Sequence, residues 1–392
     1  MRQALASEVE AMRRELPATE HFAYLNTGTA GPLPATAGRV MADLAAAELR
    51  DGRISMAGFH AFFDRMAELR TALASCIGAD AGEVGLTHNT TEGMNIGLSG
   101  LDWGAGDEVV TTTLEHGGAL LPLYQLHRRH GVRITFADVG NGERDAALTA
   151  IERAIHPGVR MVVLSHVTWG TGAVLPIGEI AQLAHEAGAR VLVDGAQSVG
   201  ALPVDVHALD VDVYAFPGQK WLCGPEGTGG LYVTRAQLDA VQPTQIGFFG
   251  CDHNAYRAND VEGFRLLESA QRYEVGSLYR PSFEGLLASV GWLAGQSNRF
   301  EAVRSLTDYC LERVRAIAGA RLLNPAGGER AGLVAFIVPG VDVTDCVAYL
   351  AERGVLIRSI PDNDALRISC HCFNTADEVD RAVTLIEEYR AR

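Results

Sequence analysis

Between residues 108 and 233 the chain repeats one pattern: a strand-like run, a polar turn, then a helical stretch. The strand-like runs are 108–113, 132–137, 160–166, 190–194, 211–216 and 229–233, and helical patterns such as 177–187 separate most of them. Alternation of this kind predicts an α/β fold built on a doubly wound, mostly parallel sheet. In such sheets ligands sit in the crevice beyond the carboxyl ends of the strands. Thr113-Leu114-Glu115-His116, His166, Asp194 and Lys220 all fall at or just beyond a predicted strand end, so one cleft can collect them.

The flanking segments read differently. Residues 1–20 form a helical arm, and 21–34 (HFAYLNTGTAGPLP) is an extended loop rich in Gly and Pro. Residues 35–77 carry a helical pattern. Residues 85–98 read as a short strand, a polar turn and a helix start. After about residue 264 the order changes to helices at 282–295, 299–318, 344–353 and 375–389, with strands at 333–338, 355–358 and 366–370. The expected organisation is an N-terminal arm (1–20), a large domain (21–264) and a smaller C-terminal α+β domain (265–392).

Composition narrows the function. A net charge of −15 argues against nucleic acid or an anionic membrane as the main partner. No apolar run approaches the roughly 18–20 residues of a membrane span. The first residues are charged and amphipathic, without the apolar stretch of a secretory signal. Seven scattered cysteines with no C-x-x-C pair fit a reducing cytoplasm and give no metal signature. Cys370-His371-Cys372 is expected to be a buried strand, with both cysteines on one face and His371 on the other.

Lys+Arg total 33, and Lys220 is the one lysine. A coding bias from lysine to arginine accounts for the depletion but not for the place of the survivor, between a strand and a Gly/Pro-rich turn. Arginine stays charged, whereas a desolvated lysine amine can form a Schiff base. Lys220 is therefore a candidate anchor for pyridoxal 5′-phosphate (PLP). Such a site also needs an acid for the pyridine nitrogen, a phosphate cradle, a platform for the ring and a clamp for the substrate carboxylate. Asp194, at the end of the apolar run before Gly195, is the candidate acid, although aspartate there is also a good helix cap. Gln197 is placed to bond the ring 3-oxygen. Asn89-Thr90-Thr91-Glu92-Gly93 offers hydroxyls and free amides at a helix start. His116 is the candidate platform. Arg358 and Arg367 supply planar guanidiniums for a carboxylate.

Together and in order, these motifs resemble the fold-type-I PLP enzymes of the class V aminotransferase group. The motifs are Thr-Thr after a strand, E-H-G-G, S-H-V-T-W-G-T-G-x-x-x-P-I, V-D-G-A-Q, G-Q-K-W with its G-P-E-G-T-G-G tail, R-Y-E-V-G-S and A-L-R-I-S. That group includes cysteine desulfurases, isopenicillin N epimerases and cystine or cysteine C–S lyases. The resemblance implies Lys220 as the Schiff-base lysine, Asp194 on the pyridine nitrogen, Gln197 on the 3-oxygen and His116 stacked on the ring. It implies Thr90 and Thr91 around the phosphate, Gln219 among the cofactor-binding residues, and Ser277 reaching the phosphate of a second subunit in a homodimer with shared active sites. Asn26, Trp169, Arg358 and Arg367 would bind substrate. The chain departs from the pattern just before the lysine. Pro217 and Gln219 stand where a hydroxyl residue and a histidine are usual, so one phosphate contact is lost or replaced.

The motifs also bear on the reaction. Desulfurases take sulfur on a cysteine in the loop between the two arginines. Here that loop, residues 359–364, is short and has no cysteine. Trp169 resembles the W-x-T-G turn of the C–S lyase branch. The expected activity is β-elimination from cystine or an S-conjugated L-cysteine within specialised metabolism, giving a thiol or persulfide, pyruvate and ammonia. Alternatives are a class V aminotransferase, an isopenicillin N-type epimerase and a decarboxylating oxidative deaminase of S-cysteine conjugates. A nucleotide-binding doubly wound protein would carry G-x-G-x-x-G or G-x-x-x-x-G-K-[ST], and neither is present. A non-catalytic homologue has no need of the Lys220–Asp194 pair.

Overall fold

The computed structural model describes residues 2–53, 56–252, 254–255, 257 and 259–392. Met1 of the expected arm and positions 54 and 55 of the expected 35–77 helix lie outside these residues. A seven-stranded sheet runs in the order Val84–Thr87, Gly229–Val233, Val213–Pro217, Arg190–Asp194, Val159–Ser165, Glu108–Thr112, Arg133–Ala137. Pairing is parallel from Val213–Pro217 onward and antiparallel on the Val84–Thr87 side. Period-2 alternation feeds two cores. Val110, Val162, Leu164, Val191 and Val193 face one layer, and Val109, Met161, Val163 and Leu192 face the other. Helices Thr90–Ser99 and Gly117–His130 cover the second layer through Met94, Leu98, Leu123 and Leu126. Helices Arg144–Ala154 and Ile177–Glu186 cover the first through Ala147, Ile151, Ile177 and Ile180. The fold is thus the doubly wound α/β arrangement that the alternation predicts.

A four-stranded antiparallel sheet, Arg358–Ile360, Ala365–Ser369, Leu333–Ile337 and Arg321–Leu322, follows in the C-terminal part. Helices Arg299–Arg315, Val343–Ala351 and Ala376–Arg390 build its core with Cys310, Leu350 and Ile386. The N-terminal segment crosses over to it. Strand Ala23–Tyr24 pairs in parallel with Val355–Leu356, and Leu25 O accepts from Ser369 N at 2.8 Å. Helix Arg280–Ala294 packs the other way, placing Leu286 and Val290 in the core of the large sheet.

Three local expectations change. The 35–77 pattern is two helices, Ala35–Asp51 and Met56–Ile77, because Gly52 closes the first with a φ of 77° that a helix cannot continue. The 355–358 strand is divided between two sheets, Val355–Leu356 and Arg358–Ile360. The Cys-His-Cys strand ends early, at Ser369, because the Asn374 amide oxygen takes the His371 N–H at 2.8 Å and turns the chain. Cys370 enters the small core, Cys372 the large one, and His371 stacks on Trp221 and Phe373 with centroids at 5.6 and 4.8 Å.

Candidate active site

The crevice lies where the strand ends of the large sheet meet the edge of the small one. Asp194 ends its strand and is buried. Its Oδ1 accepts the Ala196 N–H at 2.9 Å, and its carbonyl takes the His166 N–H at 3.0 Å. Burial raises its pKa, and the charge of Lys220 opposes the rise. Lys220 sits in the turn after Val213–Pro217, one strand over. Desolvation pushes its amine down to about 8, with Arg367 and Arg358 in the same sense and Asp194 opposing. The turn is fixed by its backbone: Gln219 O accepts from Gly31 N at 2.7 Å, and Lys220 O from Cys223 N at 3.0 Å. Gly31 is required there, because a Cβ would lie 2.3 Å from Lys220 O.

Because Lys220 is the only lysine, its ionisation can be read directly. Amine-selective modification of the cofactor-free protein, followed at the Lys220 peptide, should rise with pH around a midpoint near 8. A midpoint near the ordinary 10.5 would mean the amine is solvated. Asp194→Asn should move the midpoint lower still, since the carboxylate is what favours the charged amine.

His116 caps helix Gly117–His130. Its Nδ1 accepts from Gly118 N at 3.0 Å, so the neutral ring carries its proton on Nε2. Desolvation, then the charges of Lys220, Arg358 and Arg367, lower its pKa to about 4. His116 is exposed in part, and Trp169 packs against its ring in an edge-to-face arrangement at 5.3 Å. Thr90 and Thr91 open helix Thr90–Ser99, and Asn89 caps it by accepting from Glu92 N at 2.9 Å. The first-turn amides of Thr90 and Thr91 point out of the helix. Thr91 also borders the His116 turn, with its Oγ1 2.8 Å from where a Gly118 Cβ would stand.

Gln197 is buried and both ends of its amide are held. Nε2 donates to Gly28 O at 2.9 Å and Oε1 accepts from Trp221 Nε1 at 2.8 Å, which leaves one N–H free. Gln219 Oε1 is buried without a hydrogen-bond partner.

Arg358 and Arg367 are direct cross-strand partners. Like charges placed opposite each other are unfavourable. Arg367 is 0% exposed and its pKa falls to about 9 through desolvation and the charge of Arg358. Its guanidinium donates to Trp169 O at 3.0 Å and Thr29 Oγ1 at 3.3 Å, while Nε has no partner. Arg358 donates to the same Thr29 hydroxyl at 3.4 Å and lies over the Trp169 ring at 5.6 Å. Thr29 in turn donates to Asn26 Oδ1 at 2.8 Å. Among the described residues neither arginine has a carboxylate within salt-bridge distance. A buried guanidinium beside a half-buried one, with no anion between them, is a site prepared for one.

The structure therefore brings Lys220, Asp194, His116, Gln197, Gln219, Trp169, Arg358, Arg367, Asn26, Thr90 and Thr91 around one crevice. Ser277 is not among them. It lies exposed between Glu274 and helix Arg280–Ala294, with no hydrogen bond to these residues. Sequence reasoning missed three contributors, Thr29, Trp221 and Tyr214, and gave no role to Glu115. Thr29 is visible only as one of several small residues in T-G-T-A-G. Trp221, buried next to Lys220, holds the Gln197 amide through its indole N–H. The Tyr214 hydroxyl joins His166 Nδ1, at 2.8 Å, to Ser198. Glu115 accepts from Thr112 and Ser165 hydroxyls, both at 2.6 Å.

An acid opposite a desolvated lysine, a free Gln197 N–H, helix-start amides and a prepared carboxylate clamp fit pyridoxal phosphate. Fold and site define a fold-type-I PLP-dependent enzyme. The chain belongs to the aminotransferase class-V family, whose model matches residues 52–382. It is 33% identical over 338 residues to a cysteine desulfurase of Haloferax volcanii, covering 81% of this chain and 77% of the relative. It is 30% identical over 404 residues to a probable cysteine desulfurase of Methanothermobacter thermautotrophicus, covering 97% of each. Among solved structures it is similar to a lysine-to-alanine mutant of C-DES with glycine covalently linked to its PLP cofactor. The TM-score is 0.89 and the identity 31%, over 96% of this chain and 99% of that one. A complex of the cystine C–S lyase C-DES with its product cysteine persulfide matches at 0.88 and 31%, over 95% and 99%.

Proposed function

We propose that this protein is a PLP-dependent C–S lyase that cleaves the Cβ–S bond of cystine or another S-conjugated L-cysteine. The observation that carries this reading is the turn between the two arginines. Pro361–Asn363 forms one helical turn joining Arg358–Ile360 to Ala365–Ser369, and no cysteine stands in 359–364 to receive sulfur. Family membership and the similarity to the cystine C–S lyase C-DES support it.

When bound, pyridoxal phosphate supplies an electron sink for the charge that builds at Cα. Asp194 holds the pyridine nitrogen protonated, and the free N–H of Gln197 bonds the 3-oxygen. His116, neutral and fixed by Gly118, provides a ring face. Thr90 and Thr91 would hold the phosphate, Gln219 would line the cofactor site beside Lys220, and Ser277 of a second copy would complete the phosphate cradle in a homodimer. Arg367 clamps the α-carboxylate, with Arg358, Asn26 and Trp169 around the rest of the substrate. Lys220 would anchor the cofactor, and its Nζ, when free, would accept the Cα proton. Its pKa of about 8, lowered from 10.5, leaves about a tenth of the amine neutral at pH 7 and about half at pH 8. The thiolate or persulfide then leaves Cβ, and hydrolysis of the remainder gives pyruvate and ammonia.

The division into an arm (1–20), a large domain (21–264) and a small domain (265–392) is part of this proposal, with Ala23–Tyr24 and Arg280–Ala294 as cross-packed exchanges between the two. So are a cytoplasmic location and a place in specialised metabolism. Among the described residues no helix is long and apolar enough to cross a membrane.

The test is product identity. Incubated with cystine, the PLP-loaded protein should release pyruvate, ammonia and cysteine persulfide in equal amounts. A keto acid retaining the whole skeleton would indicate an aminotransferase instead, and inversion at Cα alone an epimerase.

A further inference from the structure

We propose that Glu115 is a positioning residue of this site: it pins the His116 turn to the sheet and holds negative charge behind Asp194. This inference rests on the PLP reading. Glu115 is 5% exposed, and both its oxygens are used. Oε1 takes the Thr112 hydroxyl at the end of its own strand, and Oε2 takes the Ser165 hydroxyl at the end of the next, each at 2.6 Å. Thr112 Oγ1 also accepts from Leu114 N at 3.2 Å, so the turn 112–116 is tied at two points. Ser165 is the register partner of Asp194. The layer therefore runs Glu115, Ser165, Asp194 across three strand ends, with Lys220 beyond.

Among the described residues no arginine or lysine pairs with Glu115. The charged group that acts on it is Asp194, from the strand beyond Ser165. Its chain neighbour His116 and the buried His166 are both held neutral. A buried carboxyl held by two hydroxyls and the Ser165 backbone is a weak structural clamp, since an amide oxygen would take similar bonds. What the acid adds is charge. Desolvation raises its pKa to about 7, so it ionises within the working range. A negative charge behind Asp194 favours the protonated, electron-withdrawing form of the lysine-bound cofactor.

The test uses the PLP-loaded wild type, Glu115→Gln and Ser165→Ala, titrated from about pH 5.5 to about pH 9 on the visible band of the lysine-bound cofactor. Glu115→Gln keeps shape and hydrogen bonding but removes the charge. Its apparent pKa should fall by about one unit, a tenfold loss of proton affinity. Ser165→Ala removes one donor from the carboxylate and should move the pKa the same way by less, which keeps the test open if Glu115→Gln does not fold. Wild-type titration in both variants would overturn the inference while leaving the cofactor reading intact. A wild type that takes up no PLP would overturn both.

Discussion

Lys220→Ala is expected to lower the rate of pyruvate formation about 10³-fold or more while the protein stays folded. Proton transfer by a placed base is worth roughly 10²–10⁴-fold, and here the same side chain also anchors the cofactor. Removing it should not harm stability. Its amine is desolvated, its pKa falls to about 8, and no hydrogen bond to its side chain is seen among the described residues. Asp194 would lose the cation that opposes its desolvation and so bind a proton more readily. Lys220→Arg should be as inactive as Lys220→Ala, because a guanidinium stays protonated. Steady-state pyruvate release with thermal melting of both variants decides this. Activity in the arginine variant within tenfold of wild type would show that Nζ is not the base.

Arg367→Met should separate binding from stability. The buried guanidinium has one unpartnered nitrogen, a like-charged cross-strand neighbour and no carboxylate. Replacing such a charge with an apolar side chain of similar length is often neutral or stabilising. The melting temperature should therefore hold or rise. The substrate α-carboxylate, however, loses a charge-assisted clamp worth roughly 3–4 kcal/mol, or about 10²–10³-fold in kcat/KM, mostly through KM. Arg358→Met should cost less, since Arg358 is half-buried and holds Thr29 at 3.4 Å. A variant that melts lower with unchanged KM would mean that Arg367 is structural.

Much of this was legible because strand ends are where an α/β sheet gathers its chemistry. Asp194 and His116 each follow an apolar run, and period-2 alternation makes such runs easy to find. Lys220 stood out by its rarity and gained meaning from its place one strand beyond Asp194. What stayed hidden depended on pairing between distant strands. That Arg358 faces Arg367 is a matter of register in a hairpin, and that Thr29 bridges them depends on a loop crossing more than 300 positions of sequence to meet it. The Cys370-His371-Cys372 turn was misread for a similar reason. Local alternation extends the strand, whereas the Asn374 side chain ends it. Glu115 was quoted within a motif but had no visible role until Ser165 was placed beside it.

The most direct test of the account is reduction of the PLP-loaded wild type with borohydride, followed by peptide mapping. The account predicts loss of the visible band and one pyridoxyl-modified peptide, modified at Lys220. A protein that takes up no PLP, or one whose cofactor is fixed anywhere other than Lys220, would contradict it.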